Sequence, residues 1–217
     1  MTPADGTSLT AIGPADGPAV GGCVKGIIFN ITELAVTEAL GAEVWEDLLD
    51  ASGVAGVYSA LGDYPASELV AISQAAADHL GITLEETLVW VGENVVPTLA
   101  DRYPQFFEHD NTIEFIQTLD GLVHEEVRKL YEGADPPRFE VEPVGPNRVL
   151  ITYSSRRCMA ALAHGMIQGT AAQYGEQVVI ERTDSVEDRV QTARFLCTFS
   201  REVKAHPAGT EPSEAIG

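Results

Sequence analysis

"NRVLITYSSRRCMAALAHGMIQG", residues 147–169, begins as a strand and ends as a helix. At the point where the strand runs out, Tyr153, Ser155 and Arg157 occupy alternate positions. Side chains at i, i+2 and i+4 of a strand share one face. A phenol, a hydroxyl and a guanidinium are therefore expected to point into one small space, which suits an anionic group. From about Arg157 to Tyr174 the pattern turns helical.

The flanks of this stretch give the rest of the sheet. Upstream, "PPRFEVEPV" reads as a strand joined to the first by the turn Gly145–Pro146–Asn147. Downstream, "EQVVIERT" and "ARFLCTFS" are two more alternating segments. Two strands, a helix and two strands with short connections predict an antiparallel sheet. Everything earlier carries apolar residues three and four apart: "ITELAVTEAL", "AEVWEDLLDAS", "YPASELVAISQAAADHLG" and "TLEETLVWVGENVVPTLADRYP". Pro65 opens the third of these in a first-turn position, and Gly81 stops it. Thr83 with Glu86 forms a capping-box pattern, and Pro97 is expected to kink or break the fourth. "NTIEFIQTLDGLVHEEVRKLYEG" gives the strongest helical pattern, with Gly133 as its stop. The fold class expected is α+β: a helical N-terminal part, then an antiparallel sheet with helices, with a pocket between them.

The folded domain is expected over residues 24–203. Residues 1–23 are rich in Gly, Pro and Ala and repeat "PADG", and 204–217 are similarly poor in large apolar residues; both ends are expected to be disordered. Val24 is itself a candidate start of translation.

Composition excludes several function classes. A net charge of -20, from 13 Lys+Arg against 33 Asp+Glu, opposes binding to nucleic acid or to anionic membrane surfaces. Three cysteines without a C-x-x-C make no disulfide framework and no thiolate zinc site, and fit a reducing, cytoplasmic setting. There is no apolar run of about 18 residues to span a bilayer. Phosphate-loop, dinucleotide-binding and nucleophile-elbow glycine patterns are all missing.

His124 lies inside the strongest helical pattern, at the edge of its apolar face. It reads either as a half-buried structural histidine or as an axial metal ligand, for which neutral imidazole is well suited. Gly121 beside it leaves a bare patch that a flat macrocycle could use. "HEEVR" is no zinc-protease motif, because the second metal-binding histidine is replaced by Arg128.

"VKGIIFN", "HEEVRKLYEGADPPRF" and "YSSRR", in this order and spacing, resemble the haem nitric oxide/oxygen-binding (H-NOX) family. That family includes the haem domain of soluble guanylate cyclase and stand-alone bacterial sensors, and the resemblance spans about Val24 to Ser200. It implies haem b as cofactor and His124 as the proximal iron ligand. It places the propionate-holding motif on Tyr153, Ser155 and Arg157, the haem-distorting proline on Pro137, and a distal apolar contact on Ile28. One departure stands out: Asp120 precedes His124 by four residues, where many relatives have the acid three before. Oxygen-binding relatives carry a distal tyrosine at the position of Leu162. A pocket without that donor is expected to favour nitric oxide and carbon monoxide over oxygen.

The resemblance further implies a sensor rather than an enzyme, signalling in trans to a partner such as a histidine kinase or a cyclic-dinucleotide enzyme. Trp90, Asn94 and Tyr174 are other donors that could reach the pocket. The downstream sequence lacks the histidine and paired cysteines with which some relatives hold zinc. Two other classes stay open at this stage: a haem-free module for an apolar small molecule, and a haem enzyme activating oxygen or peroxide.

Overall fold

The computed structural model describes residues 21–201. Of the ends expected to be disordered, 1–20 and 204–217 lie outside the described residues, as do 202–203 of the expected domain, whereas 21–23 are described and Cys23 opens a strand. The chain opens with strand β1 (Cys23–Lys25) and then helices α1 (Gly26–Leu40) and α2 (Ala42–Ser52). Strand β2 (Asp63–Pro65) returns to pair with β1 antiparallel, with Val24 opposite Tyr64. Helices α3 (Ala66–Leu80) and α4 (Leu84–Arg102) follow. Next come α5 (Thr112–Thr118), a π turn (Leu119–Val123) and α6 (His124–Leu130). The C-terminal part is β3 (Arg138–Gly145), β4 (Arg148–Ser155), α7 (Ala160–Gln173), β5 (Glu176–Glu187) and β6 (Val190–Arg201). The four long strands form one antiparallel sheet in the order β3-β4-β6-β5. The fold is α+β, as the period change around residue 155 predicts.

Local chemistry accounts for several boundaries. The Thr83 hydroxyl accepts from the Glu86 amide at 3.2 Å, and the Glu86 carboxylate takes the Thr83 N–H at 2.8 Å, completing the capping box. Asn111 caps α5 in the same way through the Glu114 amide. Gly81 ends α3 in the left-handed conformation (φ 70°).

Of the kink or break expected at Pro97, no break occurs, and α4 runs on through it. Three local expectations need correction. Pro65 is not inside α3 but at its N-cap, as the last residue of β2. Helix α7 starts at Ala160 rather than Arg157, since Cys158 takes a left-handed φ of 54° that no helix accommodates. The long helix expected over 111–133 is one continuous helical run over 112–130, with a π turn between α5 and α6 and its end at Leu130 rather than Gly133.

Three apolar clusters hold the layers together. Val149, Ile151 and Tyr153 from β4 meet Ala193, Phe195, Cys197 and Phe199 from β6, covered by α7 and α5. Phe29, Trp45, Leu48, Leu69 and Ile72 pack α1, α2 and α3 together. Ile27, Ile31, Val91 and Val95 join α1 to α4. Helices α4 and α7 touch almost backbone to backbone. A Cβ on Gly165 would stand 1.8 Å from the Val89 carbonyl, and one on Gly92 would stand 2.2 Å from the Leu162 carbonyl. Among the described residues no helix is long and apolar enough to cross a membrane.

Candidate functional site

Strand β4 delivers Tyr153 and Ser155 to the same buried face, 2% and 7% exposed. Arg157 does not continue that strand, which ends at Ser155; it sits in the turn before α7. Its backbone N–H donates to the Ser155 hydroxyl at 3.2 Å, so the serine shapes the turn that aims the arginine. The guanidinium donates to the Cys23 carbonyl at 3.1 Å and to the Asp135 carbonyl. Tyr153 interacts with Ser155, Met159 and Arg157, while burial pushes its phenol pKa up. The three motif residues therefore converge, though by a strand and a turn rather than by one strand face.

His124 approaches this group from the other side. It opens α6, and its own backbone N–H closes the π turn by donating to the Leu119 carbonyl, an i→i+5 bond. Such a turn holds one residue more than an α turn. Both Asp120 and the residue that closes the turn, His124, belong to this segment. The Asp120 carboxylate lies 3.3 Å from His124 Nδ1 and 3.8 Å from Arg128. The imidazole packs against Phe139 at a centroid distance of 5.7 Å, and Phe139 against Tyr153 at 5.5 Å. Its side chain is 12% exposed. Burial, the largest cause, pulls its pKa below the ordinary histidine range; Asp120 opposes this, and Arg128 and Arg157 assist it. Burial thus favours the neutral ring. Asp120 occupies Nδ1, and among the described residues Nε2 takes no hydrogen bond.

The remaining predicted positions belong to other parts of the fold. Ile28 and Leu162 are half-buried and pack, with Trp90, against both the α1–α2–α3 cluster and the α1–α4 cluster. Pro137 is half-buried just before β3. Of the other candidate donors, Asn94 is engaged with the Trp90 carbonyl and Tyr174 with the Phe107 carbonyl.

These features fit an iron porphyrin on four counts. A neutral imidazole keeps Nε2 for a metal. An arginine fork now satisfied by two neutral carbonyls would bind carboxylates more strongly, by charge-assisted bonds. Ile28, Leu162 and Trp90 supply apolar walls. Gly121, three residues before the histidine, is exposed, and a Cβ added there would meet nothing within 4 Å, so no side chain covers that flank of the turn.

Two parts of the site carry no signal in the sequence. The Cys23 and Asp135 acceptors are backbone atoms far from Arg157 in the chain. The π turn keeps the composition of an ordinary helix.

A family model described as haem-NO-binding matches residues 25–182. An H-NOX protein from S. oneidensis, solved in the Fe(II)NO ligation state, is 25% identical; the match covers 82% of this chain and 100% of that one, with a TM-score of 0.74. A point mutant of an H-NOX protein from K. algicida, Fe(II) and unliganded, is 26% identical over 83% of this chain and 98% of that one, with a TM-score of 0.72. An oxygen-binding H-NOX domain related to soluble guanylate cyclases shares the fold at 23% identity, covering 86% and 100%, with a TM-score of 0.72.

Proposed function

The chain belongs to the haem-NO-binding (H-NOX) family of haem-based gas sensors, and from that premise we propose that it senses nitric oxide and signals to a separate partner protein. When bound, haem b supplies a ferrous iron at which diatomic gases coordinate. The rest is the work of this chain. His124 Nε2 holds the metal, and Asp120 fixes the ring by accepting from Nδ1, which also strengthens the imidazole as a donor. Arg157, Tyr153 and Ser155 hold the propionates, which would be costly to bury unpaired. Pro137 and Ile28 would supply apolar contacts to the macrocycle.

The observation that carries the reading is the neutral, half-buried imidazole whose Nε2 is free, set beside the Tyr153–Ser155–Arg157 group. Selectivity follows from Leu162. Its side chain packs with Ile28 and Trp90 and offers no hydrogen, whereas bound oxygen develops negative charge and gains from a donor. The partner is expected to be a histidine kinase or a cyclic-dinucleotide enzyme, with the chain itself non-catalytic and cytoplasmic. The domain proper is residues 24–203 with β1 drawing in Cys23.

Absorption spectra of the reconstituted protein test this reading. Ferrous protein should form nitric oxide and carbon monoxide complexes and no stable oxygen complex in air. His124→Gly should lose the protein–iron bond and regain an imidazole ligand at that place when free imidazole is added. Spectra of the variant identical to wild type without imidazole would move the ligand to another residue. A stable oxygen complex would overturn the assignment of selectivity to Leu162.

A further inference from the structure

Lys25 is buried, 9% exposed, in a strand of three residues. An ammonium group has three hydrogens to place and is costly to bury unless each finds an acceptor. Here Nζ donates to the Asp63 carboxylate at 2.9 Å, to the Glu132 carbonyl at 2.7 Å and, more weakly, to the Leu61 carbonyl at 3.5 Å. Asp63 lies across the β1–β2 pair and would be enough to balance the charge. The shortest bond goes elsewhere, to a backbone oxygen 107 residues away. Glu132 stands in the turn that ends α6, the helix carrying His124.

Other ties gather at the same end of that helix. Tyr131 packs into the α1–α4 cluster beside Ile27, Ile31 and Val91. Its hydroxyl meets that of Tyr103 at 3.1 Å. The opposite end is held by softer contacts: Leu119 and Val123 of the π turn pack, half-buried, against the sheet cluster, and the His124 ring lies against Phe139. Neither α6 nor the π turn contributes a fully buried residue, and the π turn holds Gly121 with open space around it. A helix anchored at its C-terminal end and preceded by an irregular turn can move mainly at its N-terminal end, where His124 sits.

Arg157 also ties this segment, through the Asp135 carbonyl. On the functional reading above, propionates would take over that guanidinium. Among the described residues the Lys25 ammonium bonds only to Asp63, Glu132 and Leu61, none of them a partner of Arg157. We propose that Lys25 is a positioning residue of the sensor: it anchors the C-terminal end of α6 to the N-terminal strand and so confines gas-driven movement to the His124 end. The inference rests on His124 as the iron ligand, but its structural half can be tested without haem.

Hydrogen exchange followed by mass spectrometry on the full chain, haem-free and haem-loaded, reads the anchor directly. Lys25→Met keeps the apolar stem and removes all three donors. Exchange over residues 131–135 should rise about ten-fold, equivalent to about 1.4 kcal/mol, in both forms, with α4 and α7 unchanged. Asp63→Asn removes the charge partner but keeps the Glu132 bond, and should loosen β1–β2 while leaving 131–135 protected. Unchanged exchange at 131–135 in Lys25→Met, or the same rise in Asp63→Asn, would overturn the proposal and leave Lys25 as a pin of the β1–β2 pair.

A labelling experiment covers the case in which Lys25→Met does not fold. In the wild-type chain Lys25 should react with an amine acylating reagent at least about ten-fold more slowly than exposed Lys129; equal rates would overturn the burial on which the anchor depends. In the ferrous haem-loaded protein, Lys25→Met should also shift the iron–histidine stretching band. An unshifted band with His124 shown to be the ligand counts against the positioning role. An unshifted band in both Lys25→Met and His124→Gly points instead to a failure of the ligand assignment, and the exchange data then decide the anchor alone.

Discussion

Glycine does opposite work in the two helical regions that bracket the site. Between α4 and α7, Gly92, Gly165 and Gly169 let two backbones approach so closely that any side chain would collide with carbonyl groups. In the π turn before α6, Gly121 faces open space. The first region is a fixed frame, since close-packed backbone cannot yield to one added carbon. The second is a lever: short, without fully buried residues, and joined to α5 by a turn with i→i+5 bonding. A sensor needs both, because a displacement of His124 has meaning only against something that does not move.

The largest effect expected from this difference is at the frame. Gly165→Ala places a methyl 1.8 Å from the Val89 carbonyl, which belongs to α4's own backbone and cannot rotate away. The helices must separate, and the loss should approach the upper end of overpacking costs, about 3 kcal/mol. For a chain of this size that lowers the melting temperature by roughly 6–12 °C. A melt within a degree or two of wild type would show that α4 and α7 are free to slide, and the frame would lose its claim to rigidity.

How much of this division could be read in the sequence follows from which residues announce themselves. The sheet was legible because Val149, Ile151 and Tyr153 alternate inward, and a strand's period of two leaves little choice of face. Thr83 and Glu86 marked the start of α4 for a chemical reason that does not need tertiary contacts. The β1–β2 pair was not legible: two strands of three residues each have no period to detect. Nor was the π turn within the 112–130 helical run, since such a turn keeps helical composition. The site's side chains could be named from the motif. Their present acceptors could not, because Arg157 and Lys25 both bind carbonyl oxygens, which every residue has. A buried lysine looks like any other lysine until the chain has folded around it.

The same substitution in the lever should have the reverse sign. At Gly121 an added Cβ meets nothing within 4 Å, and alanine restricts the unfolded chain more than glycine does. Gly121→Ala should therefore stabilise the haem-free protein by about 0.5–1 kcal/mol. The check is a pair of chemical denaturation curves, Gly121→Ala and Gly165→Ala, taken side by side. If both alanines destabilise, the turn is packed after all, and the contrast between frame and lever reduces to a difference of degree.

The smallest expected effect probes whether the π turn holds Asp120 against the imidazole. His124 has its folded pKa lowered by burial, with Asp120 pulling the other way. A base whose folded pKa lies below its unfolded value, about 6.5, costs stability when the unfolded chain binds the proton and the folded one does not. Stability should then fall as pH drops below about 6.5 and level off once the folded ring also protonates. His164, likewise lowered by burial, contributes in the same window and must be replaced by Gln in every chain compared. On that background Asp120→Asn removes what raises the His124 pKa, so the folded value drops further and the fall continues to lower pH. Asp120 is 41% exposed, so solvent screens it and the added loss at pH 5 should be about 0.5 kcal/mol or less. Haem-free melts from pH 7.5 to 5 give the answer. His124→Gln on the same background sets the baseline, because it abolishes the slope that Asp120→Asn deepens. Should Asp120→Asn and its parent run parallel through the whole range, the carboxylate is not held at the ring in solution. The Leu119–Val123 turn would then not set the position of the imidazole, and the lever would begin at a different point in the chain.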